Sequence, residues 1–482
     1  MSKKAKFVLV SFISFIMIFL SMFLIFLFSL QISNNHYAEI KRSNHGISKR
    51  KFPYPFKSAL TICSDIDNTD SLEEFLTIQE FLNTKNPTEM GVGLGLEIGN
   101  SFFPIKASKT SHSPFGLISD NQIENEVIVD LIKIGYIDFI HSFQEANREE
   151  IRKIADTLSN IGCQLNVWVN HAKAVSDLGY RDYSLGDNIN SIHYHTDFSI
   201  RTLGYKFVWI GEVSSIVGQG FPLRLHSFFA GLNRKHFIQS LYNNAFKEIA
   251  KYGLSFMGIG KKYSNRKYNE LTCPLRLDDG QYVFGFVRSN VSYQGIGGKA
   301  VTSPGLVDIL REGIFKELNK NGGYMIVYTH LGSNIGNPYI SKATQRALRR
   351  LETEYRKGNI YVTTTAKLLK YYVNNKYLIW HSSLKGNERN IHIACISDPV
   401  RGSFIPTVED LGGITFYTND PDNTHIFIQA KEISQININE SDYTNRKSVM
   451  IPLKPLPKLD NKMKEYRKKG YFGGIDNKNV GN

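Results

Sequence analysis

Five apolar segments of this sequence each end on a side chain that can act as an acid, a base or a metal ligand. They are SALTIC before Ser64-Asp65-Ile66-Asp67, YIDFI before His141, LNVWVN before His171, FVWIG before Glu212 and YMIVYT before His330. A helix-like stretch follows each segment, directly or after a loop. In a parallel barrel the C-terminal ends of the strands converge on one rim, where active sites form. The pattern therefore predicts an active-site rim that carries carboxylates and imidazoles.

Asp65 and Asp67 are separated by one residue at the end of the first segment. Residues i and i+2 of an extended chain point the same way, so both carboxylates would face one cavity. One carboxylate could then bind a metal while the other takes a proton. A helix cap or a turn is the alternative, because Asn68, Thr69 and Asp70 follow at once.

Three histidines at predicted strand ends suggest metal binding and proton transfer. If a helix begins at His141, Glu145 lies four residues later on the same face, and the two could hold one zinc or similar divalent ion. The alternative is a loop histidine followed by a first-turn carboxylate. His171 is open to three roles: ligand, substrate contact or structural histidine. His330 closes an apolar strand and could donate a proton to a leaving group.

The elements that must position these residues alternate between strand-like and helix-like segments from about residue 56 to residue 376. This alternation predicts an α/β fold with a parallel sheet, here a distorted (β/α)7-8 barrel. Residues at about 212–303 break the rhythm and are predicted to be an insertion above the rim. Short strand-like runs at 377–455 predict a small C-terminal β-sandwich, and 456–482 a flexible basic tail.

The N-terminal region predicts a membrane anchor. Residues 7–30 contain no charge and no proline, and the run is long enough to span a bilayer as a helix. Residues 1–31 are therefore assigned to a cytoplasmic tail and transmembrane helix, and 32–55 to a linker. We expect a single-pass protein with its N-terminus inside and its catalytic body outside the cytoplasm. The lysines and arginines that follow the span would by themselves favour the reverse orientation.

The composition of the chain restricts the classes of molecule that the protein is expected to bind. The 482 residues carry a formal net charge of +14, which suits nucleic acid, a membrane surface or an acidic polymer. The lysines are scattered and the sequence contains no nucleic-acid-binding module, so a nucleic-acid partner is not expected. The four cysteines show no CxxC spacing that would suggest a zinc knuckle.

Residues 56–376 resemble the polysaccharide deacetylase (NodB homology) family, part of a wider superfamily of glycoside hydrolase and deacetylase barrels. The family's first signature is a strand ending in two acidic residues, which Asp65 and Asp67 resemble with Ile66 inserted between them. Its second is His-Ser/Thr-x-x-His, which His141 opens but Glu145 closes. Its late signature is an apolar strand ending in a histidine. The arginine-containing middle signature is not recognisable; the candidates are Arg224, Arg276 and Arg288.

The resemblance implies a distorted (β/α)7 barrel that removes acetyl groups from N- or O-acetylated sugars with a divalent metal. On this chain it implies that Asp65 is the base and His330 the acid. Asp67 and His141 would hold the ion, zinc by expectation, and Glu145 or His171 would complete its ligands. The expected substrate is a surface or extracellular polysaccharide or an oligosaccharide. Glu212 and the rings of Tyr194 and Trp209 are candidates for substrate contact, with barrel packing as the alternative for Trp209.

Two other functions stay open at this point. A glycosidase on the same barrel needs two carboxylates on opposite sides of a bond, such as Asp65 or Asp67 with Glu97, Glu145 or Glu212. A membrane-anchored, non-catalytic glycan-binding or assembly factor is the third reading, which the replacement of the second histidine by Glu145 favours.

Overall fold

The computed structural model describes residues 27, 30–31, 46–66, 69, 71–104, 122–171, 174–179, 183–260, 263, 266, 268–295, 298–332 and 338–472. Asp67 and most of the apolar run 7–30 lie outside these residues. The helices are α1 (Leu72–Asn83), α2 (Gln122–Lys133), α3 (Arg148–Asn160), α4 (Thr196–Leu203), α5 (Phe237–Ser240), α6 (Lys247–Phe256), α7 (Leu306–Ile309), α8 (Glu312–Asn321), α9 (Lys342–Arg356), α10 (Thr365–Lys376) and α11 (Asp460–Lys468). Within the described ranges, no helix combines the length and apolar character needed to cross a membrane.

The strands form one large sheet and three smaller ones. They are β1 (Ser48–Lys49), β2 (Ser58–Asp65), β3 (Pro87–Thr88), β4 (Gly91–Val92), β5 (Asn100–Phe102), β6 (Ile137–His141), β7 (Val167–Val169), β8 (Phe207–Trp209), β9 (Val213–Ser214), β10 (Thr272–Arg276), β11 (Tyr282–Phe286), β12 (Arg288–Ser289), β13 (Tyr324–His330), β14 (Ile360–Val362), β15 (Leu378–Lys385), β16 (Glu388–Asp398), β17 (Gly402–Phe404), β18 (Thr415–Tyr417), β19 (Thr424–Ile428), β20 (Lys431–Glu432), β21 (Asn437–Asn439) and β22 (Ser448–Met450).

The large sheet is parallel except for the antiparallel hairpin of β10 and β11 at one edge. Its order is β10-β11-β8-β7-β6-β5-β2-β13-β12-β9, and β14 pairs with the first half of β2. The two ends of this path share chain segments, because β9 follows β8 after three residues and β12 follows β11 after Val287 alone. The sheet is therefore curled, and the protein has a mixed α/β fold.

Local sequence explains how the strands and helices of this sheet begin. β2 is buried at all of its eight positions, as expected for a central strand with neighbours on both sides. Ser71 caps α1 by accepting a hydrogen bond from the Glu74 amide. Asn147 and Glu150 form a capping box at the start of α3, and the helix buries apolar side chains at positions 151, 154, 155 and 158 against the sheet side of the fold.

The range predicted to be an insertion, about 212–303, is partly built into the large sheet. β11 pairs with β8, and β12 pairs with β9 and β13. The prediction of a separate insertion was therefore wrong for these strands. The alternation of strands and helices is interrupted in this range because β11 follows β10 through a tight hairpin turn at residues 277–281 and not through a crossover helix.

Residues 377–455 form two sheets, β15-β16-β19-β20 with β17, and β18-β22-β21 with β1. Apolar residues of both sheets belong to one buried cluster, in which Trp380 contacts Phe416 edge-on with ring centroids 4.8 Å apart. Pairing is antiparallel except between β16 and β19, which are parallel.

The described parts of the predicted linker and of the predicted flexible tail both pack against other elements. In the predicted linker, β1 pairs with β18, and Arg50 is buried beside Asp442 at 2.9 Å. In the predicted basic tail, α11 buries Met463 and Tyr466 in the core cluster that contains α2 and α3 residues. These apolar residues, three positions apart on one helical face, stabilise the helix, whereas composition alone indicated a solvated tail.

Candidate active site

The C-terminal ends of β13 and β2 are neighbours on one rim, and those of β6 and β7 follow them beyond β5. Asp65 ends β2 and is in register with His330 at the end of β13. His141 ends β6 and is in register with Val169 on β7, two residues before His171. The structure brings these four residues, each named at a predicted strand end, close to one another. Glu212, the fifth, lies apart from them.

Asp65 forms a buried, two-pronged ion pair with Arg288 from β12. Arg288 Nη1 donates to Oδ2 at 2.8 Å and Nη2 donates to Oδ1 at 2.7 Å, and both side chains are at most 1% exposed. The guanidinium carbon also lies 4.2 Å from the ring centre of Trp209 and 4.8 Å from that of Tyr328. Bidentate pairing and stacking on rings are the two contacts in which arginine cannot be replaced by lysine.

Two opposing effects set the charge of Asp65. Burial raises the pKa of a carboxyl because it removes water from the charged form, whereas a neighbouring cation lowers it. Here the attraction of Arg288, followed by that of His141, outweighs burial, and the pKa of Asp65 lies below its ordinary value. The carboxylate is therefore ionised at neutral pH although it is enclosed.

Two of the three imidazoles of the rim, His141 and His171, form a small aromatic cluster with Phe103. The rings of His141 and His171 meet nearly at right angles with centroids 4.9 Å apart, and Phe103 lies 4.8 Å from His141 and 5.4 Å from His171. His141 Nε2 lies 3.7 Å from Asp65 Oδ2, which is an electrostatic contact rather than a hydrogen bond. Gln144 Nε2 lies 3.3 Å from His171 Nδ1.

His330 is buried, and its Nδ1 lies 2.8 Å from the Val301 carbonyl oxygen. A carbonyl oxygen only accepts hydrogen bonds, so Nδ1 carries a proton and donates it there. Nε2 is therefore the ring nitrogen that can donate or accept a proton in a reaction. This orientation is what a general acid or base on a strand end requires.

The expected helical pairing of His141 with Glu145 was wrong. Ser142 and Gln144 have positive φ angles of 61° and 57°, in the left-handed region, and the helix begins only at Arg148. Glu145 is exposed, whereas His141 is buried. The reason is the capping box at Asn147, which fixes the start of α3 after Glu145.

A divalent ion does not fit the described part of the rim. Within that part, no three histidine, cysteine, aspartate or glutamate side chains form a metal-binding group. Both oxygens of Asp65 accept hydrogen bonds from Arg288, whose positive charge would also repel a metal ion. Asp67, the ligand that the family resemblance implies, lies outside the described residues. The described residues of the rim therefore assign no chemical step to a metal ion.

Glu212 belongs to a separate buried ion cluster. It pairs with Arg266, which also pairs with Glu248, while Lys251 lies within 4.0 Å of both carboxylates. Burial raises the pKa of Glu212 above its ordinary value despite the opposing charge of Arg266. Its carboxylate is occupied inside the protein, which speaks against the predicted substrate contact.

The two aromatic candidates for substrate stacking have protein neighbours. Trp209 is buried beneath Arg288, and its Nε1 donates to the Glu212 carbonyl at 2.6 Å. These contacts favour the alternative, in which Trp209 packs inside the protein. Tyr194 is half-buried; its hydroxyl donates to Asp279 at 3.3 Å, and the Arg148 guanidinium lies 5.2 Å from its ring centre.

A groove of about 750 Å³ is lined by residues from the stretches 230–236, 292–294 and 304–314, and by none of the rim residues named above. One wall begins at Pro304, three residues after the Val301 carbonyl that holds His330. His236 and Tyr293 line the groove and stack on each other with ring centroids 3.8 Å apart. Arg311 adds a positive charge, 3.7 Å from Asp308.

Sequence reasoning gave Arg288 only as one of three candidates for the family's arginine, without a partner. In the stretch YVFGFVRSN, Arg288 comes two residues after the apolar segment YVFGF, which is β11. This position near a strand end is the only signal in the sequence that could have favoured Arg288. Compared with known proteins, the chain matches no family model, and no curated protein matches it either.

Proposed function

We propose that this protein is a carbohydrate-active hydrolase that removes acetyl groups from a polysaccharide. The observation that carries the proposal is the buried Asp65–Arg288 pair on a strand-end rim, next to His330 in the adjacent strand. An ionised carboxylate and a correctly oriented imidazole at the same end of a parallel sheet are the base and the acid that such a reaction needs.

The strand pairings favour a distorted seven-stranded barrel as the scaffold. A continuous circuit can be followed from β2 through β5, β6, β7 and β8 to β11 and β12, and through β13 back to β2. β11 and β12 are separated by Val287 alone and act as one strand in that circuit. β14 fills the first half of the space beside β2, which supports a (β/α)7-8 architecture.

In the proposed reaction, Asp65 takes a proton from the water that attacks the acetyl carbonyl carbon. The tetrahedral intermediate then collapses, the bond to the sugar nitrogen or oxygen breaks, and His330 Nε2 protonates the leaving atom. Arg288 keeps Asp65 ionised and fixes both of its oxygens. The expected divalent ion, zinc, remains a proposal that depends on Asp67 together with His141 and His171.

The glycosidase alternative lacks a second carboxylate among the candidates named for it. Glu97 hydrogen-bonds with Thr363 and Lys367, which follow the end of β14, and also accepts from the Leu456 amide. Glu212 is held by Arg266, and Glu145 is exposed on a loop. A glycosidase would need one of these carboxylates close to Asp65, facing the same bond.

We also propose that residues 7–30 anchor the protein in a membrane, with the body outside the cytoplasm, where an acetylated surface polymer would be available. A non-catalytic glycan-binding or assembly factor would use the same groove without turnover. His236, Tyr293 and Arg311 in that groove offer a stacking surface and a positive charge for either role.

The test is acetate release by the full-length protein from N-acetylated and O-acetylated glycans. Asp65→Asn and His330→Gln are each expected to reduce the rate roughly 10²–10⁴-fold. His425→Gln is the matched control, because His425 pairs with Glu432 on the surface of the C-terminal sheets. Rates within threefold of wild type for either rim variant would refute the assigned roles. Glycan binding without acetate release would favour the binding factor.

Metal content is measured on the same samples. Wild type is compared with Asp67→Ala and His141→Ala after dialysis against zinc. Equal, negligible zinc in all three would remove the metal from the proposal and leave the Asp65, Arg288 and His330 roles to the activity assay.

A further inference from the structure

The segment from Arg234 to Ile259 exposes large apolar side chains on a helix. α5 and α6 are joined there by a π-helical stretch, Leu241–Phe246, into one continuous helical segment. Ile238 is 82% exposed, Tyr242 61% and Phe246 54%. Their spacing of four residues places them on one face. Single exposed apolar residues are ordinary, but a contiguous row of them marks an interaction surface.

The same surface is basic. Arg234 and Lys235 are exposed immediately before the helix, and the Lys247 amine lies 5.0 Å from the ring centre of Tyr242. The only acidic residue between positions 234 and 259 is Glu248, which is buried in the ion cluster with Arg266. Apolar side chains bordered by lysine and arginine are the composition of helices that lie in a membrane interface.

The position of this helix relative to the predicted anchor adds an independent argument. Leu30, the last residue of the apolar run 7–30, is helical and buried in a cluster with Leu223, Phe228 and Tyr252. Tyr252 lies on α6, the second half of the helical segment. The segment that exposes Phe246 therefore also packs, through Tyr252, in the same cluster as the end of the apolar run. If the run spans a bilayer, the helix lies where the chain leaves that bilayer.

We propose that the row formed by Ile238, Tyr242 and Phe246 inserts into the surface of an anionic bilayer, with Arg234, Lys235 and Lys247 at its phosphate groups. The inference rests on the proposed anchor and not on the proposed reaction. Arg234 and Lys235 also line the groove described above, so the groove opens next to the membrane surface. The protein would then act on polymer that lies close to the bilayer.

The test places a tryptophan in the row and asks whether lipid reaches it. Full-length Ile238→Trp and Phe246→Trp proteins are reconstituted in phosphatidylglycerol-containing vesicles, with or without bromine on the acyl chains, which quenches nearby tryptophan. Ile405→Trp is the matched control, because Ile405 is 61% exposed but lies in the C-terminal region. Wild type gives the background from the native tryptophans.

We expect bromine to reduce the added emission at positions 238 and 246 at least twofold and to leave that at position 405 unchanged. Equal emission with and without bromine at all three positions would overturn the proposal. So would a blue shift at position 238 that is insensitive to bromine and grows with the protein-to-lipid ratio, because a second copy would then cover the row. If wild type does not float with vesicles, the anchor fails and the proposal falls with it, whereas acetate release from a soluble glycan tests the reaction separately.

Discussion

Replacement of Arg288 by methionine tests whether the rim depends on a charged pair held inside the protein. Methionine keeps much of the arginine's length and can pack against Trp209 and Tyr328, but it leaves Asp65 buried without its guanidinium partner. Breaking a buried pair in this way costs about 3–5 kcal/mol of unfolding free energy, because an uncompensated charge remains. Asp65→Asn leaves Arg288 unpaired and is expected to cost a similar amount.

A double variant distinguishes the contribution of the Asp65–Arg288 ion pair to stability from the contribution of ordinary packing. Removing both charges leaves two neutral groups of similar volume, and neutral replacements of buried pairs are often close to neutral in stability. The loss of unfolding free energy in the double variant, Arg288→Met combined with Asp65→Asn, should therefore be smaller than the sum of the two single losses by at least about 2 kcal/mol. Additive losses would refute the reading of the pair as a coupled unit.

The pH dependence supplies a second, signed test. The folded-state pKa of Asp65 is lowered, so its contribution to stability is present above the ordinary aspartate value of about 3.9 and is lost as pH falls through the lower folded value. In Arg288→Met, burial instead raises the pKa of Asp65, and protonation relieves the unpaired charge. The stability difference from wild type should shrink as pH falls from 7 towards about 4. Urea unfolding followed by tryptophan emission measures it, and a pH-independent difference would contradict the argument.

Three further predictions concern single groups. Burial raises the pKa of Asp138 to about 7, so the native state loses stability as pH rises from about 4 through 7; Asp138→Asn should remove that fall, seen as equal melting temperatures at pH 5 and 8. Asn147→Ala deletes the capping box of α3 and should lower the unfolding free energy by about 1 kcal/mol in urea, whereas an unchanged midpoint would contradict the cap. His330→Gln should lower the acetate-release rate but not the melting temperature by more than a few degrees, and an intact rate would show that another group supplies the proton.

Local patterns in the sequence predicted the elements that carry the rim. The apolar runs before Asp65 and His330 are β2 and β13. These features depend on residues within one strand or one turn, so the sequence is sufficient to place them. The alternation of strands and helices likewise predicted the α/β class and the parallel sheet.

Contacts between distant positions could not be predicted in the same way. Arg288 lies 223 residues from Asp65, and only the curled sheet brings their side chains together. Glu145 was assigned to a helix because its spacing from His141 is helical, yet the left-handed backbone at Ser142 and Gln144 breaks that relation. The spacing of two residues along the chain does not reveal whether the residues between them adopt left-handed φ angles.

The prediction of a flexible basic tail missed α11 for a related reason. α11 contains few apolar residues, and most of its side chains are charged, so its average composition is that of a solvated tail. Arg467 pairs with Glu80 on α1, and Lys462 pairs with Asp130 on α2 at 2.8 Å. Its partners lie on other helices, and composition cannot identify them.

The pairing of β1 with β18 has a consequence for the order in which the chain is completed. Ser48 is in register with Tyr417, so an early part of the nascent chain forms its sheet only with a very late part. At ribosomal rates of ~5–20 residues per second, the first strand waits roughly 20–70 s for its partner. If the body is exported, that interval falls during translocation. The C-terminal sheets then cannot finish folding before nearly all of the polypeptide has crossed, and a chain that ends before β18 leaves β1 unpaired.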